Sequence, residues 1–273
     1  MVCVRLCNID APKLDIPCGF RGSIDEKKAK PRRCGFRHGS LRGLRALGYP
    51  YIAPMATPPP NRLAQLVERR ISVERLRPYR VAVGGDLEQA LALYEWNSSV
   101  AAAFFEVLGH FEVLLRNALH EQLTIWHTAR GRPDAWYDDR TGLLDEHSRD
   151  DIAKAREKLR RNHETEVPGK ILAELGFGFW RYLLDKRYET TLWAQALRHS
   201  FPVLIPQRRR DVYIPISELS RLRNRIAHHE PIHGFDLQRH HDGLLRVTGF
   251  VDPDMETWLT ALSRVPTLLT ARP

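Results

Sequence analysis

The fold of this chain is decided by residues 87–127, which read LEQALALYEWNSSVAAAFFEVLGHFEVLLRNALHEQLTIWH. Apolar side chains recur along this stretch at intervals of three and four residues, which is the spacing of one face of a helix. The stretch contains a single glycine, Gly109, and no proline. It therefore predicts either one long helix or two stacked helices. Asp86 directly precedes it and is a residue type that often caps the N-terminus of a helix.

The rest of the chain from residue 61 onward has the same helical character. Apolar spacing and turn residues predict further helices near residues 61–71, from 72 onward, and over about 150–161, 170–187, 190–199, 214–229, 237–247 and 253–262. The sequence shows neither the alternating pattern of a strand nor a repeat of roughly 20–50 residues. We therefore predict an all-α fold, with one helical bundle of about seven to nine helices over residues 61–273. The aromatic cluster at residues 177–182 is predicted to belong to its core.

The first 60 residues differ from the rest in composition. Residues 1–54 contain eleven Lys or Arg and four Asp or Glu, so they carry +7 of the net charge of +9. The basic pI is therefore weak evidence that the folded part of the chain binds nucleic acid. The four cysteines also lie here, and their spacing does not match the paired C-x2-C of common zinc sites; they are Cys3, Cys7, Cys18 and Cys34.

Two interpretations of residues 1–54 are open. They are a disordered basic arm, or they are upstream sequence included by a mis-assigned start, with Met55 as the true first residue. We favour the second, because a run of prolines follows Met55 and the chain then becomes regularly helical. N-terminal sequencing of the natively expressed protein distinguishes the two.

The sequence predicts a cytoplasmic protein that does not associate with a membrane. No uninterrupted apolar run reaches the roughly 18 residues of a membrane span. The N-terminus lacks the basic-then-apolar order of a secretory signal.

The chemistry of the chain is concentrated in residues 223–231, which read RNRIAHHEP. On a helix, Arg223 and His228 are rotated by roughly 140° from each other, and Asn224 lies one turn before His228. A guanidinium binds two phosphate oxygens at once, and an imidazole exchanges protons near neutral pH. These groups are of the kinds that RNA cleavage without a metal requires, in which Asn224 would orient the ribose or phosphate. The alternative is structural, because polar side chains near a helix C-terminus often interact only with its last carbonyls.

Three neighbouring residues are of types that bind metal ions, namely His229, Glu230 and His233. Pro231 interrupts their spacing, so we predict no metal and no cofactor, and we assign His229 a supporting role.

A second polar cluster lies on the long apolar stretch. Glu112 and Arg116 are four residues apart, which predicts an ion pair along one helix face. The alternative is that Glu112, Arg116 and Asn117 line the same pocket as the cluster at 223–231 and support Arg223 or His228.

Four stretches, taken together and in this order, resemble the Abi-like (abortive infection, AbiD/AbiF-type) bacterial family, whose domain belongs to the HEPN superfamily. The stretches are residues 90–97 (ALALYEWN), 112–117 (EVLLRN), 176–180 (GFGFW) and 222–232 (LRNRIAHHEPI). The likeness spans roughly residues 72–260 and leaves residues 1–54 outside.

The resemblance implies an α-helical HEPN-type fold and places the Arg-x4–6-His motif of that superfamily on Arg223 and His228, with Asn224 at its polar second position. Active members are metal-independent endoribonucleases that leave a 2′,3′-cyclic phosphate, and two protomers commonly join their motifs across a homodimer interface. The family acts in phage defence by growth arrest or toxin–antitoxin behaviour. The resemblance therefore implies two partners, an RNA substrate and an antitoxin. Non-catalytic members exist, so the alternative is a module that binds RNA or a nucleotide or docks an antitoxin.

Overall fold

A computed structural model describes residues 60–273 of the chain, with side chains from residue 62. Ten α-helices follow one another in this part, and it contains no strand. The prediction of an all-α fold is therefore confirmed. The predictions for residues 1–59, including the four cysteines, lie outside the described residues. The helices are α1 (Pro60–Ile71), α2 (Val73–Ala82), α3 (Leu87–Thr128), α4 (Glu146–Arg161), α5 (Pro168–Glu174), α6 (Phe177–Leu183), α7 (Arg209–Ala227), α8 (Leu237–Val251), α9 (Pro253–Leu262) and α10 (Val265–Thr270).

The stretch that decides the fold forms a single helix, α3, of 42 residues. Its N-terminus is capped as expected, because the Asp86 carboxylate accepts a hydrogen bond from the backbone N–H of Gln89 at 2.8 Å. Helices α2, α6, α7, α8 and α10 all pack against it. The central helix therefore organises the domain, and the C-terminal part of α7 lies against it.

Helix α3 is long and apolar, and 39% of its apolar 18-residue window is buried within the domain. An 18-residue window of α3 has a mean hydropathy of 1.4, so by length and composition alone it is able to cross a membrane. Fifteen α3 side chains are buried within this domain, among them Phe104, Phe111 and Leu115. Burial against neighbouring helices produces the same composition as a membrane span.

The prediction of one continuous helix over residues 170–187 is wrong. The chain forms two short helices, α5 and α6, because Leu175 and Gly176 between them adopt extended backbone. This corner buries Phe177, Phe179 and Trp180, and the Trp180 indole donates to the Leu175 carbonyl at 3.1 Å. The aromatic cluster therefore belongs to the core, as predicted, but two short elements bury it instead of one long helix.

The segment at residues 190–199 and the start of α7 also differ from the prediction. Residues 190–199 form no α-helix but a π-helical turn, Glu189–Trp193, and a 3₁₀ turn, Leu197–Ser200, because the backbone at Ala196 leaves helical geometry. Helix α7 begins at Arg209, five residues before the expected start, since the buried Arg209 guanidinium donates to the Leu184 carbonyl at 2.9 Å. The additional helix α10 brings the number of α-helices to ten, above the seven to nine expected.

Candidate active site at the end of helix α7

The candidate site is an open cleft of about 680 Å³ at the C-terminal end of α7. Three segments build it. Helix α2 contributes Arg75, helix α3 contributes Asn97 and Phe105, and the end of α7 contributes Arg223. The turn after α7 adds His229 and Glu230. The cleft therefore contains the Arg223 end of the polar cluster that the sequence singled out.

Arg223 is fixed to the central helix by Glu112. Its Nε donates to Glu112 Oε1 at 3.1 Å, which joins α7 to α3. Burial raises the pKa of Glu112 above the ordinary value, although the charge and hydrogen bond of Arg223 act in the opposite direction. The pair therefore holds a partly buried carboxylate in a place that favours its neutral form.

The predicted ion pair between Glu112 and Arg116 is wrong, because Glu112 lies against Arg223 instead. Arg116 Nε makes a long contact of 3.4 Å to Oδ1 of its neighbour Asn117, whose side chain is exposed. Of the three residues expected to support the site, the structure brings Glu112 to Arg223. Arg116 and Asn117 are not among the described residues that line the cleft.

The turn at the end of α7 decides where the two histidines lie. His228 ends the helix, and His229 adopts the left-handed conformation with φ 55°. The N–H of His229 donates to the Ile226 carbonyl at 3.0 Å and that of Glu230 donates to the Arg225 carbonyl at 2.8 Å. This pair of hydrogen bonds is the Schellman motif, whose left-handed position is usually glycine.

The reversal of the chain separates the two imidazoles. Both side chains are exposed. His229 lines the cleft together with Arg223, whereas His228 is not among the described residues that do so. Within one chain, the structure therefore brings Arg223 together with His229, which the sequence placed in a supporting role.

Asn224 faces a different surface from Arg223. It lines a second, shallower cleft of about 510 Å³ with Arg221, Arg225 and Arg239. Consecutive residues of a helix point about 100° apart, and these two side chains line different clefts. The trio Arg223, Asn224 and His228 therefore surrounds the end of α7 and does not converge within a single chain.

Three polar contacts that sequence reasoning missed hold the turn after α7. Asn97 Oδ1 accepts from the backbone N–H groups of Ile232 and His233 at 2.8 and 3.0 Å. Arg75 donates to the His229 carbonyl. A carboxamide in the middle of an apolar helix was a usable signal for Asn97, but Arg75 carries no local signal, because its partner is 154 residues away.

His233 belongs to the packing beneath the site. Its ring lies against Tyr79 with 4.8 Å between centroids. Burial lowers the pKa of His233, and Arg272 and Arg225 lower it further. Among residues 60–273 there is no group of three His, Cys, Asp or Glu side chains placed to hold a metal ion. His229, Glu230 and His233 do not form a metal site in this part of the chain.

The cleft combines groups that bind anions with a group that transfers protons. Arg75 and Arg223 each bring a guanidinium to its lining, and His229, which carries an imidazole, lines the same cleft. Comparison of the chain with protein-family models, with curated proteins and with solved structures finds no match. The likeness to the Abi-like family therefore remains an expectation that rests on the four sequence motifs.

Proposed function

We propose that this protein is a metal-independent endoribonuclease whose reaction takes place at the end of α7. The observation that carries the proposal is that Arg223 and His229 line one open cleft. In the proposed reaction a base removes the proton of a ribose 2′-OH, and the 2′ oxygen attacks the adjacent phosphorus. The bond to the 5′ oxygen breaks and that oxygen takes a proton from an acid, which leaves a 2′,3′-cyclic phosphate.

Each residue of the cluster has a role in this reaction. Arg223 binds the phosphate and stabilises the additional negative charge of the phosphorane. Glu112 orients Arg223 and is a positioning residue. His228 and His229 carry the two protons, and Asn224 orients the ribose or phosphate from the second cleft. Arg221, Arg225 and Arg239 in that cleft are suited to bind the RNA backbone on either side of the cut.

The partners and the setting of this activity rest on the family resemblance. We propose a cytoplasmic homodimer that acts in phage defence, with RNA as substrate and an antitoxin as a regulatory partner. In support of the dimer, Arg223 lines the cleft and His228 is not among the described residues that do so, and a site shared between two copies would join the two residues.

A second candidate function is a binding module without turnover. It is favoured by the ion pair between Arg223 and Glu112, which gives Arg223 a structural partner in the free protein. In this case the cluster holds RNA, a nucleotide or an antitoxin.

Cleavage of a labelled RNA pool in the presence of EDTA tests the proposal. We expect Arg223→Ala, His228→Ala and His229→Ala each to lower the rate by about two to four orders of magnitude, the usual contribution of acid–base catalysis. Mass spectrometry of the products should show cyclic phosphate ends. His163→Ala is the matched control, because His163 is exposed and occupies the same left-handed position after α4.

Full activity in both His228→Ala and His229→Ala would sink the catalytic mechanism. RNA binding that survives both histidine changes but is lost in Arg223→Ala, with no cleavage in the unaltered protein, supports the binding module instead.

A further inference from the structure

The floor of the cleft contains Asn97, whose oxygen holds the turn after α7 and whose Nδ2 group makes no hydrogen bond to the described residues. Asn97 is 5% exposed, and its Oδ1 accepts two backbone hydrogen bonds. Two donors fix the carboxamide oxygen on that side, so the Nδ2 group is on the other. Among the described residues no acceptor lies within hydrogen-bond distance of Nδ2, and this atom is not enclosed. Because this N–H group is open to the cleft and makes no hydrogen bond to the described residues, it is available to donate to a ligand there.

One wall of the cleft is flat and apolar. Tyr94, Asn97, Ala101 and Phe105 follow one another along α3 at intervals of three and four residues, so they share one face. Phe105 is 55% exposed, although it is a large apolar side chain. A cleft that offers both an exposed aromatic ring and a hydrogen-bond donor has the combination that proteins use to hold an unpaired base.

The rim of the same cleft carries two guanidiniums together with the carboxylate of Glu230. Arg75 and Arg223 both line it, from α2 and α7 respectively. Guanidiniums bind phosphate oxygens in a fork. A nucleotide whose base entered the cleft would therefore place its phosphate close to the residues of the proposed reaction. The volume of about 680 Å³ is enough for a nucleotide.

We infer that this cleft binds one unpaired nucleobase of a single-stranded RNA. The base stacks on Phe105, one of its acceptor atoms receives a hydrogen bond from Asn97 Nδ2, and the adjacent phosphate lies against Arg75 and Arg223. A base in a duplex uses its pairing edge for its partner, so the pocket selects single-stranded RNA. This inference rests on the proposed function and adds to it the recognition of the nucleotide beside the scissile phosphate.

Calorimetric titration of the full chain with mononucleotides tests the pocket without any cleavage. The probes are the four nucleoside 5′-monophosphates, and the reference is ribose 5-phosphate, which lacks a base. We expect at least one nucleotide to bind about tenfold more tightly than ribose 5-phosphate, the usual effect of one aromatic stacking contact. Phe105→Ala should remove this difference and leave the affinity for ribose 5-phosphate unchanged.

Two further variants make the result specific. Ile125→Ala is the matched control, because Ile125 is 54% exposed on the same helix and does not line the cleft. Asn97→Asp retains the acceptor for both backbone N–H groups and removes the donor, so it should weaken nucleotide binding. If Asn97→Asp does not fold, the comparison of Phe105→Ala with Ile125→Ala still decides the question.

Three results overturn the pocket: no nucleotide binds better than ribose 5-phosphate, Phe105→Ala behaves like Ile125→Ala, or RNA cleavage is unchanged in Phe105→Ala. Dissociation of a dimer by Phe105→Ala in sedimentation velocity, with nucleotide affinity intact, also overturns it, because the occupant is then a second copy. Nucleotide binding that depends on Phe105, without cleavage of any RNA, keeps the pocket and contradicts the proposed function.

Discussion

Arg223 has two uses in the structure. Its Nε donates to Glu112 across the interface between α7 and α3, and the side chain still lines the open cleft. A purely structural arginine would be enclosed by its partners, whereas this one is only partly buried. The guanidinium is therefore held in place and remains accessible to an anion from solvent. This arrangement is what an orienting carboxylate provides at a phosphate-binding site.

The carboxylate of Glu112 gives a prediction for the pH dependence of stability. Burial raises its pKa above 4.5, and Arg223 reduces this effect only in part. The folded state thus binds this proton more tightly than the unfolded state. The contribution of Glu112 to stability is fully present below about pH 4.5 and is lost as the pH rises through the raised pKa.

We expect Glu112→Gln to increase the free energy of unfolding near pH 7, because glutamine remains an acceptor for Arg223 and carries no charge. The gain in the free energy of unfolding should vanish toward about pH 4, where Glu112 of the unaltered protein is protonated and is therefore as neutral as glutamine. Urea denaturation across this range measures the difference. A variant that is less stable than the unaltered protein near neutral pH, or a gain that does not change with pH, contradicts the expectation.

At the scale of the helices, α4 and α7 end in the same way. Both place a histidine, His163 and His229, at the left-handed position after the helix, with φ 54° and 55°. In both, the next backbone N–H returns to a carbonyl five residues earlier, from Glu164 to Leu159 at 2.9 Å and from Glu230 to Arg225 at 2.8 Å. The left-handed histidine is therefore not in itself a sign of function. Only the one after α7 lines the cleft.

Because the two helix ends match, substitutions at His163 and His229 distinguish an effect on stability from an effect on activity. We expect glycine at either position to stabilise the protein by about 1 kcal/mol, because glycine adopts the left-handed conformation without strain. His229→Gly should also abolish RNA cleavage, whereas His163→Gly should leave it unchanged. Thermal denaturation and the cleavage assay measure the two effects. Equal activity in both variants would remove His229 from the site.

At the scale of the whole molecule, the described residues 60–273 form one compact unit with its own core. We therefore expect a chain that begins at Met55 to melt at the same temperature as the full chain. It should also bind RNA with a weaker dependence on salt, because the +7 of residues 1–54 is absent. Circular dichroism and RNA binding at two salt concentrations measure these quantities. A clearly lower melting temperature contradicts the expectation that Met55 is the true start.

Much of the fold could be predicted because long apolar helices carry a strong local signal. The helical character of residues 87–127, the Asp86 cap and the bounds of α9 follow from spacing and residue type, whereas the spacing left open whether α3 is one helix or two. The corner at Leu175 and Gly176 and the early start of α7 could not be predicted. They depend on burying Trp180 and Arg209 against distant parts of the chain, which outweighs local propensity.

The sequence by itself determined the helical class and the place of the polar cluster at residues 223–231. Tertiary structure alone decided which of these side chains meet, because the left-handed turn at His229 directs His229 into the cleft and leaves His228 outside it. It also paired Glu112 with Arg223 instead of Arg116, and it joined Asn97 to the backbone of Ile232 and His233 after α7. Each of these contacts joins residues that are far apart in the chain, and helical spacing contains no information about them.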